Sequence, residues 1–161
     1  MKQNHFDEQL DGRGLRVAVV AARFNADLTD ALLADCLEAL ASCGIEHQQI
    51  KTVRVPGSFE LPVMAAELAH LGTFDAIVCL GIIIRGETTH DQYIAHSVSQ
   101  SLNDLAVATR IPIVFGVLTT NDRKQAEARA LGGGKKGWEA GMSAVEMGLL
   151  LQELRIKKRQ S

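Results

Sequence analysis

The chain has 161 residues, of which 47% are hydrophobic and 22% are charged, and its formal net charge is -2 at pH 7. This length favours one domain with an ordinary hydrophobic core. The slightly negative charge argues against a nucleic-acid-binding protein, which is usually basic. No apolar run reaches the roughly 18 residues that a membrane-spanning helix needs. We therefore expect neither a nucleic acid nor a membrane as a partner.

The cysteines and the N-terminal segment indicate the compartment. Cys36, Cys43 and Cys79 include no CxxC pair, and an odd number of core-type cysteines is typical of a reducing environment. Residues 1–14 are polar and lack the apolar core of a signal peptide. We expect a cytoplasmic protein with a flexible N-terminal arm over residues 1–14 and a single domain over residues 15–161.

Buried-strand patterns alternate with helical patterns along the chain. Strands are predicted, in chain order, at residues 15–22, 49–55, 74–84 and 111–118. Helices are predicted at residues 27–43, 58–70, 89–109, 122–130 and from 137 to about 157. Strands that alternate with helices of this length form a parallel sheet with right-handed crossovers. The sequence therefore predicts a three-layer α/β/α sandwich with a four-stranded parallel sheet, flavodoxin-like in layout.

The end of the third strand is the strongest candidate for a functional site. An apolar run ends at Ile84 and is followed by Arg85, Gly86 and small hydroxyl residues that begin a helix. Free N–H groups and the positive dipole end of such a helix favour a bound anion. His90 lies one turn further on, and histidine suits general acid–base catalysis. Open α/β sheets bind ligands at this edge, so we expect an anion site with a proton-transfer group there.

Two other strand ends carry residues unusual for plain connections. Phe24 follows the first strand, where its ring either stacks on a planar ligand or packs onto the next helix. Gly57, Ser58, Phe59 and Glu60 follow the second strand. Their N–H groups, hydroxyl and carboxylate either bind a polyol or heterocycle edge, or form an ordinary helix cap with Ser58 at the N-cap.

Other features favour structural readings when they are taken alone. Residues 132–137 fit the pattern GxGxxG but follow a predicted helix, whereas a dinucleotide-binding loop follows a strand. Phe115 lies inside the fourth strand, where core packing is the default. Arg129 and Lys136 are ordinary surface charges unless a site recruits them. No His, Cys, Asp or Glu cluster has the spacing of metal ligands, so we expect no metal.

Several segments, taken together, closely resemble the 6,7-dimethyl-8-ribityllumazine synthase family over about residues 17–151. The segments that carry the resemblance are Arg23-Phe24-Asn25, residues 55–62, 80–90, 115–120, 136–140 and 143–147. The family condenses 5-amino-6-ribitylamino-2,4(1H,3H)-pyrimidinedione with 3,4-dihydroxy-2-butanone 4-phosphate in riboflavin biosynthesis. The amine forms a Schiff base with the ketone, phosphate is eliminated, and ring closure follows. The resemblance implies a transferase that uses no metal and no organic cofactor.

The resemblance also assigns residues to the first substrate. Phe24 would stack on the pyrimidine ring, and the turn that contains Ser58 and Glu60 would hold the ribityl hydroxyls. The backbone around Ile82 and Ile83 would bind the edge of the heterocycle.

A second set of residues is assigned to the phosphate and to catalysis. Gly86, Glu87, Thr88 and Arg129 would bind the phosphate group, and His90 would move protons.

The resemblance implies an oligomer with shared sites. Phe115, Arg129 and Lys136 match positions that a neighbouring subunit contributes, so the site would lie at a subunit interface. The family forms pentamers, many of which assemble into icosahedral shells, and riboflavin synthase is an implied partner. The absence of an insertion near residues 131–137 favours the shell. Small residues of the last helix would allow close approach to a neighbouring subunit; they are Gly141, Ala144 and Gly148.

Two positions depart from the family pattern. Asp91 follows His90 where an aromatic residue is usual, and a carboxylate there is expected to orient the imidazole ring or influence its protonation. The segment 131–137 is one residue short and carries lysine where asparagine is usual, which weakens the match of Lys136. Two alternatives remain open: a binding module that has lost turnover, and a flavodoxin-like or response-regulator domain.

Overall fold

The computed structural model describes residues 9–160. The strands are β1 (Val17–Ala22), β2 (Ile50–Val55), β3 (Ala76–Ile84) and β4 (Ile113–Thr120). The α-helices are α1 (Ala26–Ser42), α2 (Leu61–His70), α3 (His90–Thr109), α4 (Arg123–Ala130) and α5 (Lys136–Gln160). Short 3₁₀ helices cover His47–Gln49 and Ser58–Glu60. Each predicted strand and helix is present, and the largest boundary changes lie around β4 and before α2.

The four strands form one parallel sheet in the order β2-β1-β3-β4, which confirms the predicted sheet. The two inner strands are buried on both faces, which explains their continuous apolar sequences. β3 pairs with β1 as far as Leu80, but it pairs with β4 as far as Ile84. The carboxyl end of β3 therefore projects beyond β1 at the edge where ligands usually bind.

Helices cover both faces of the sheet, so the predicted three-layer sandwich is confirmed. Val17 and Val19 of β1 pack with α1, α4 and α5, whereas Ala18 and Val20 pack with α2 and α3. This alternation follows from the pleat of the strand, which directs successive side chains to opposite faces. Each face thus has its own hydrophobic core, and the sheet between them is a rigid platform for the loops at its edges.

The small residues of α5 serve packing inside the chain. A Cβ atom added to Gly141 would lie 2.8 Å from the Ala39 Cβ and from the Cys36 carbonyl oxygen of α1. Gly148 lies against Leu15, and Ala144 is fully buried. The expectation that these residues face a neighbouring subunit is therefore wrong, because α1 and the core of the same chain occupy that space.

Residues 9–14 contact the domain that follows them. The Gly12 N–H donates a hydrogen bond of 2.7 Å to the Cys43 carbonyl, and Leu10 packs against the core beneath α1 and α5. Residues 1–8 of the predicted arm lie outside the described residues. The division of the chain into an arm and a domain stays a prediction.

The three cysteines are buried and unpaired. Burial raises the pKa of the Cys36 and Cys79 thiols to about 12, so neither has the character of a nucleophile. None of the helices within residues 9–160 is long and apolar enough to cross a membrane.

Candidate functional site

A cleft of about 440 Å³ lies at the carboxyl edge of the sheet. The segments after β1, β2 and β3 form its walls together with the first turns of α3. Its lining comprises Phe24, Gly57, Ser58, Phe59, Glu60, Ile82, Ile83, Ile84, Gly86, Thr88, His90, Asp91 and Ile94. Many residues assigned from the sequence thus lie around one cavity, although they are far apart in the chain.

Phe24 is held by a continuation of the sheet beyond its strands. The Arg23 N–H donates to the Val55 carbonyl at 2.8 Å, and the Phe24 N–H donates to the Pro56 carbonyl at 3.0 Å. The backbone is fixed, but the Phe24 side chain is 71% exposed. A ring that packed onto α1 would be covered, so the stacking alternative fits the structure better than the packing alternative.

Asn25 links the first loop to the projecting end of β3. Its backbone is left-handed, with φ of 57°, and its side-chain Nδ2 donates to the Ile82 carbonyl at 3.2 Å. The amide therefore takes the place of β1, whose pairing with β3 has already ended at Leu80. Sequence reasoning did not assign a role to Asn25. The sequence signal for this role was an asparagine at a strand-to-helix turn, since asparagine tolerates the left-handed backbone conformation better than most residues.

The turn after β2 differs from the predicted helix cap. Ser58–Glu60 is a 3₁₀ turn, α2 begins at Leu61, and the N-cap residue of α2 is Glu60. The prediction that Ser58 is the N-cap is therefore wrong. Instead, the Gly57 N–H donates to a Glu60 carboxylate oxygen at 2.9 Å, which orients Glu60 along the cleft wall. Ser58 is buried against Gly81 of β3, and Phe59 is exposed.

The segment between β3 and α3 supplies the opposite wall. Gly86, Thr88 and His90 line the cleft, and the His90 N–H donates to the Thr88 Oγ1 at 3.4 Å. Glu87 is exposed on the same segment but does not line the cleft. The Arg85 N–H pairs with the Thr120 carbonyl at 2.8 Å, and the Arg85 side chain lines a neighbouring cleft. The helix start and the histidine thus face the same cavity, whereas Arg85 lies beside it.

The neighbouring cleft has a volume of about 290 Å³ and lies between β3, β4 and α3. Its lining comprises Ile83, Arg85, Asp91, Gln92, Ala95, Thr119, Thr120 and Asn121. Ile83 and Asp91 line both clefts, so the two cavities meet at these side chains. The Asp91 Oδ1 is buried and accepts no hydrogen bond from the described residues.

Three predicted site residues lie outside the main cleft. Phe115 and Lys136 line a separate cleft between β4 and α5, where the Lys136 Nζ is 2.5 Å from a Glu139 oxygen. Phe115 is 44% exposed, so the expectation that it packs in the core is wrong. Arg129 is exposed near the end of α4, and its Nη1 donates to the Gln125 carbonyl at 3.0 Å. One chain therefore does not bring these three residues to His90.

Two features bear on other cofactor sites. Residues 132–137 follow helix α4. A dinucleotide-binding loop follows a strand, so the structure agrees with the argument against such a loop here. No group of three or more His, Cys, Asp or Glu side chains within residues 9–160 is arranged to hold a metal ion.

The parallel sheet and the open, partly apolar cleft at its carboxyl edge define an α/β protein that binds small molecules. The sequence model of the 6,7-dimethyl-8-ribityllumazine synthase family matches residues 14–152. The chain belongs to this family. A 6,7-dimethyl-8-ribityllumazine synthase of Aquifex aeolicus (strain VF5) is 44% identical to it over 151 residues, which cover 93% of this chain and 98% of the relative.

Proposed function

We propose that the protein condenses 5-amino-6-ribitylamino-2,4(1H,3H)-pyrimidinedione with 3,4-dihydroxy-2-butanone 4-phosphate to give 6,7-dimethyl-8-ribityllumazine, phosphate and water. Membership of the family and the relative of the same name support this reaction. The observation that carries the proposal is the main cleft, which brings an exposed aromatic ring, a helix start and a histidine together.

The pyrimidine substrate fits the wall formed by the ends of β1, β2 and β3. Phe24 stacks on the heterocycle, since its exposed ring is held by a fixed backbone. The backbone of Ile82 and Ile83 binds the edge of the heterocycle, where β3 projects beyond β1. Ser58 and Glu60 bind the ribityl hydroxyls, and the hydrogen bond from the Gly57 N–H helps to orient Glu60.

The phosphate group of the second substrate fits the opposite wall. The backbone of Gly86 and Thr88 precedes α3, whose positive dipole end favours an anion. Glu87 contributes through its backbone, and Arg129 of a neighbouring copy completes the phosphate site with its positive charge. This arrangement places the ketone close to the pyrimidine amine.

The chemistry needs few catalytic groups. The amine attacks the ketone and water leaves to form the Schiff base; phosphate is then eliminated, and ring closure with loss of a second water gives the lumazine. His90 moves protons between these steps. Holding the two reactants in register supplies much of the rate enhancement, so the proposed reaction uses neither a metal nor an organic cofactor.

We propose that the site is shared between subunits of a homo-oligomer. Phe115, Arg129 and Lys136 lie outside the main cleft of their own chain and are exposed to solvent. A pentamer, with a shell of pentamers as the larger assembly, would bring them to a neighbouring cleft.

Many large apolar side chains are exposed, as expected of a chain that buries them in an assembly. They include Val63, Leu71, Tyr93, Val107, Met147, Leu150, Leu154 and Ile156. We also propose that the protein is cytoplasmic and that riboflavin synthase is its partner.

An absorbance assay tests the reaction. The purified protein is mixed with both substrates, and lumazine formation is compared with the uncatalysed background. We expect a rate well above background that requires both substrates. A background rate, with the pyrimidine or riboflavin still bound, would instead favour a binding module that has lost turnover.

Replacing Gly81 with alanine is expected to displace the turn that contains Ser58 and so to distort the wall of the main cleft. The new Cβ atom would lie 2.4 Å from the Ser58 Oγ and 3.4 Å from the Leu61 Cδ1. Ser58 is buried, so the turn must shift, and we expect a loss of about 1–3 kcal/mol in stability. Displacement of the turn should lower kcat/KM about 100-fold. Thermal unfolding and steady-state kinetics measure these effects. The double variant Gly81→Ala/Ser58→Gly should regain stability over Gly81→Ala; no regain would exclude the contact as the cause.

A further inference from the structure

Asn25 has an unusual conformation for a residue at the start of a helix. It is the N-cap of α1, but its backbone is left-handed, with φ of 57° and ψ of 49°, whereas N-cap residues usually lie in the extended region. Within the described part of the chain, its side chain also makes no capping hydrogen bond to α1. A residue that gives up both the usual conformation and the usual hydrogen bond is held by other contacts, and such strain often marks a functional position.

The side chain of Asn25 contacts β3 instead. Its Nδ2 donates to the Ile82 carbonyl at 3.2 Å, beyond Leu80, where the pairing of β3 with β1 ends. The backbone of Asn25 stays anchored in α1, because its carbonyl accepts hydrogen bonds of 3.0 Å from the Leu28 N–H and the Thr29 N–H. Asn25 thus links the start of α1 to the projecting end of β3.

The linked segment of β3 forms part of the main cleft, but Asn25 does not. Ile82 and Ile83 line the cleft, whereas Asn25 is not among the described residues that line it. A peptide group is planar, so a hydrogen bond to the Ile82 carbonyl also fixes the orientation of the Ile83 N–H. Strand β1 no longer pairs with β3 at this point and cannot hold the same peptide group. Asn25 therefore acts on the cleft wall through Ile82.

We propose that Asn25 is a positioning residue, whose side-chain amide holds the peptide group between Ile82 and Ile83 in the orientation that binds the heterocycle of the pyrimidine substrate. The inference rests on the proposed synthase function, in which this backbone binds the edge of the heterocycle. The ketone phosphate binds at Gly86 and Thr88 in the same proposal, so loss of the amide should affect the pyrimidine alone.

Asn25→Gly tests the role of the amide without adding strain, because glycine adopts the left-handed conformation readily. We expect the KM for the pyrimidine to rise about 10-fold, since the peptide group of β3 is no longer fixed. The KM for the ketone phosphate should stay unchanged, and kcat should change by less than about 3-fold. Asn25→Asp keeps the size of the side chain but loses the donor, and it should give the same result.

Thr29→Val is the matched control at the same turn. The Thr29 hydroxyl is buried and donates to the Asn25 carbonyl at 3.2 Å, so its loss weakens the anchoring of Asn25 but leaves the amide in place. This variant should lower the melting temperature and leave both KM values unchanged. An equal rise of the pyrimidine KM in Thr29→Val would overturn the proposal, because general loosening of the turn would then explain the effect.

Amide hydrogen exchange gives a readout that does not depend on turnover. Peptides that cover residues 81–84 should exchange faster in Asn25→Gly than in the unsubstituted protein, whereas Thr29→Val should leave their exchange unchanged. A raised KM with unchanged exchange in Asn25→Gly would overturn the proposal, since Asn25 would then act on the substrate directly.

A double-mutant cycle separates Asn25 from the adjacent Phe24. If Asn25 acts through Ile82, Asn25→Gly should lower kcat/KM for the pyrimidine by the same factor in the Phe24→Ala background as it does alone. No further loss in that background would overturn the proposal, because the substitution would then act by displacing the Phe24 ring. If the unsubstituted protein neither binds the pyrimidine nor forms lumazine, the proposed function itself fails; normal synthase activity with insensitive Asn25→Gly kinetics overturns this inference alone.

Discussion

Replacing Gly137 with alanine is expected to lower the stability of the protein by about 3 kcal/mol. A Cβ atom at this position would lie 2.1 Å from the Leu32 carbonyl oxygen and 2.8 Å from the Leu32 carbonyl carbon. These are backbone atoms of α1 and cannot rotate away as a side chain does. Helices α1 and α5 must therefore separate where α5 begins. For a domain of this size the melting temperature should fall by about 6–12 °C.

Gly148→Ala is the matched control for this prediction. Gly148 is also a buried residue of α5, but its added Cβ would meet Leu15 side-chain atoms at 3.4 Å and 3.6 Å, which is ordinary contact. Since alanine favours the helix, this variant should be neutral or more stable by up to about 1 kcal/mol. Chemical denaturation with both variants measures the difference. Equal stabilities would show that the close approach of α1 to Gly137 is not a constraint on the fold.

The sheet was predictable because its inner strands are buried on both faces. This arrangement produces the continuous apolar runs of β1 and β3, which are visible without knowledge of the fold. The end of β4 was less predictable. Thr119 and Thr120 are polar and lie outside the predicted strand at residues 111–118, but they pair with the projecting end of β3, and Asp122 is the N-cap of α4. Pairing between distant segments therefore outweighed the local signal.

Some features of the site follow from local sequence, whereas others depend on contacts between distant segments. The position of Gly86 and Thr88 just before a helix at the cleft was predictable, because the strand end and the helix start follow one another along the chain. The contact between Ser58 and Gly81 was not, since it depends on the register of a turn against a strand from another part of the chain. The burial of the Asp91 Oδ1 could not be predicted either, because it depends on how α3 meets the sheet edge.

The exposure of Phe115 shows a further limit of the sequence. β4 is an edge strand, and Phe115 lies on the surface beside α5, although its position within a strand favoured the core. A pattern of apolar residues does not distinguish a side chain buried in its own domain from one that a second copy covers. The resemblance to the family supplied that distinction as an expectation, and an experiment on mixed oligomers tests it.

Phe24→Ala and Arg129→Ala are each expected to lower kcat/KM about 100-fold or more. The first removes the stacking surface, and the second removes the charge opposite the phosphate. In the proposed assembly each site takes Phe24 from one copy and Arg129 from its neighbour. Oligomers refolded from an equal mixture of the two variants should therefore regain about one quarter of the unsubstituted activity, because that share of the interfaces combines two intact contributions.

Mixing Arg129→Ala with Lys136→Ala is the control for this complementation. Both residues lie outside the main cleft of their own chain and are assigned to the same side of the interface, so no mixed interface restores a complete set. Steady-state rates before and after refolding, with oligomer size measured in parallel, give the comparison. Recovery in the first mixture alone supports a shared site. If Phe24 and Arg129 act on substrate within one chain, every chain of the first mixture lacks one of them, and its activity stays at the level of the separate variants.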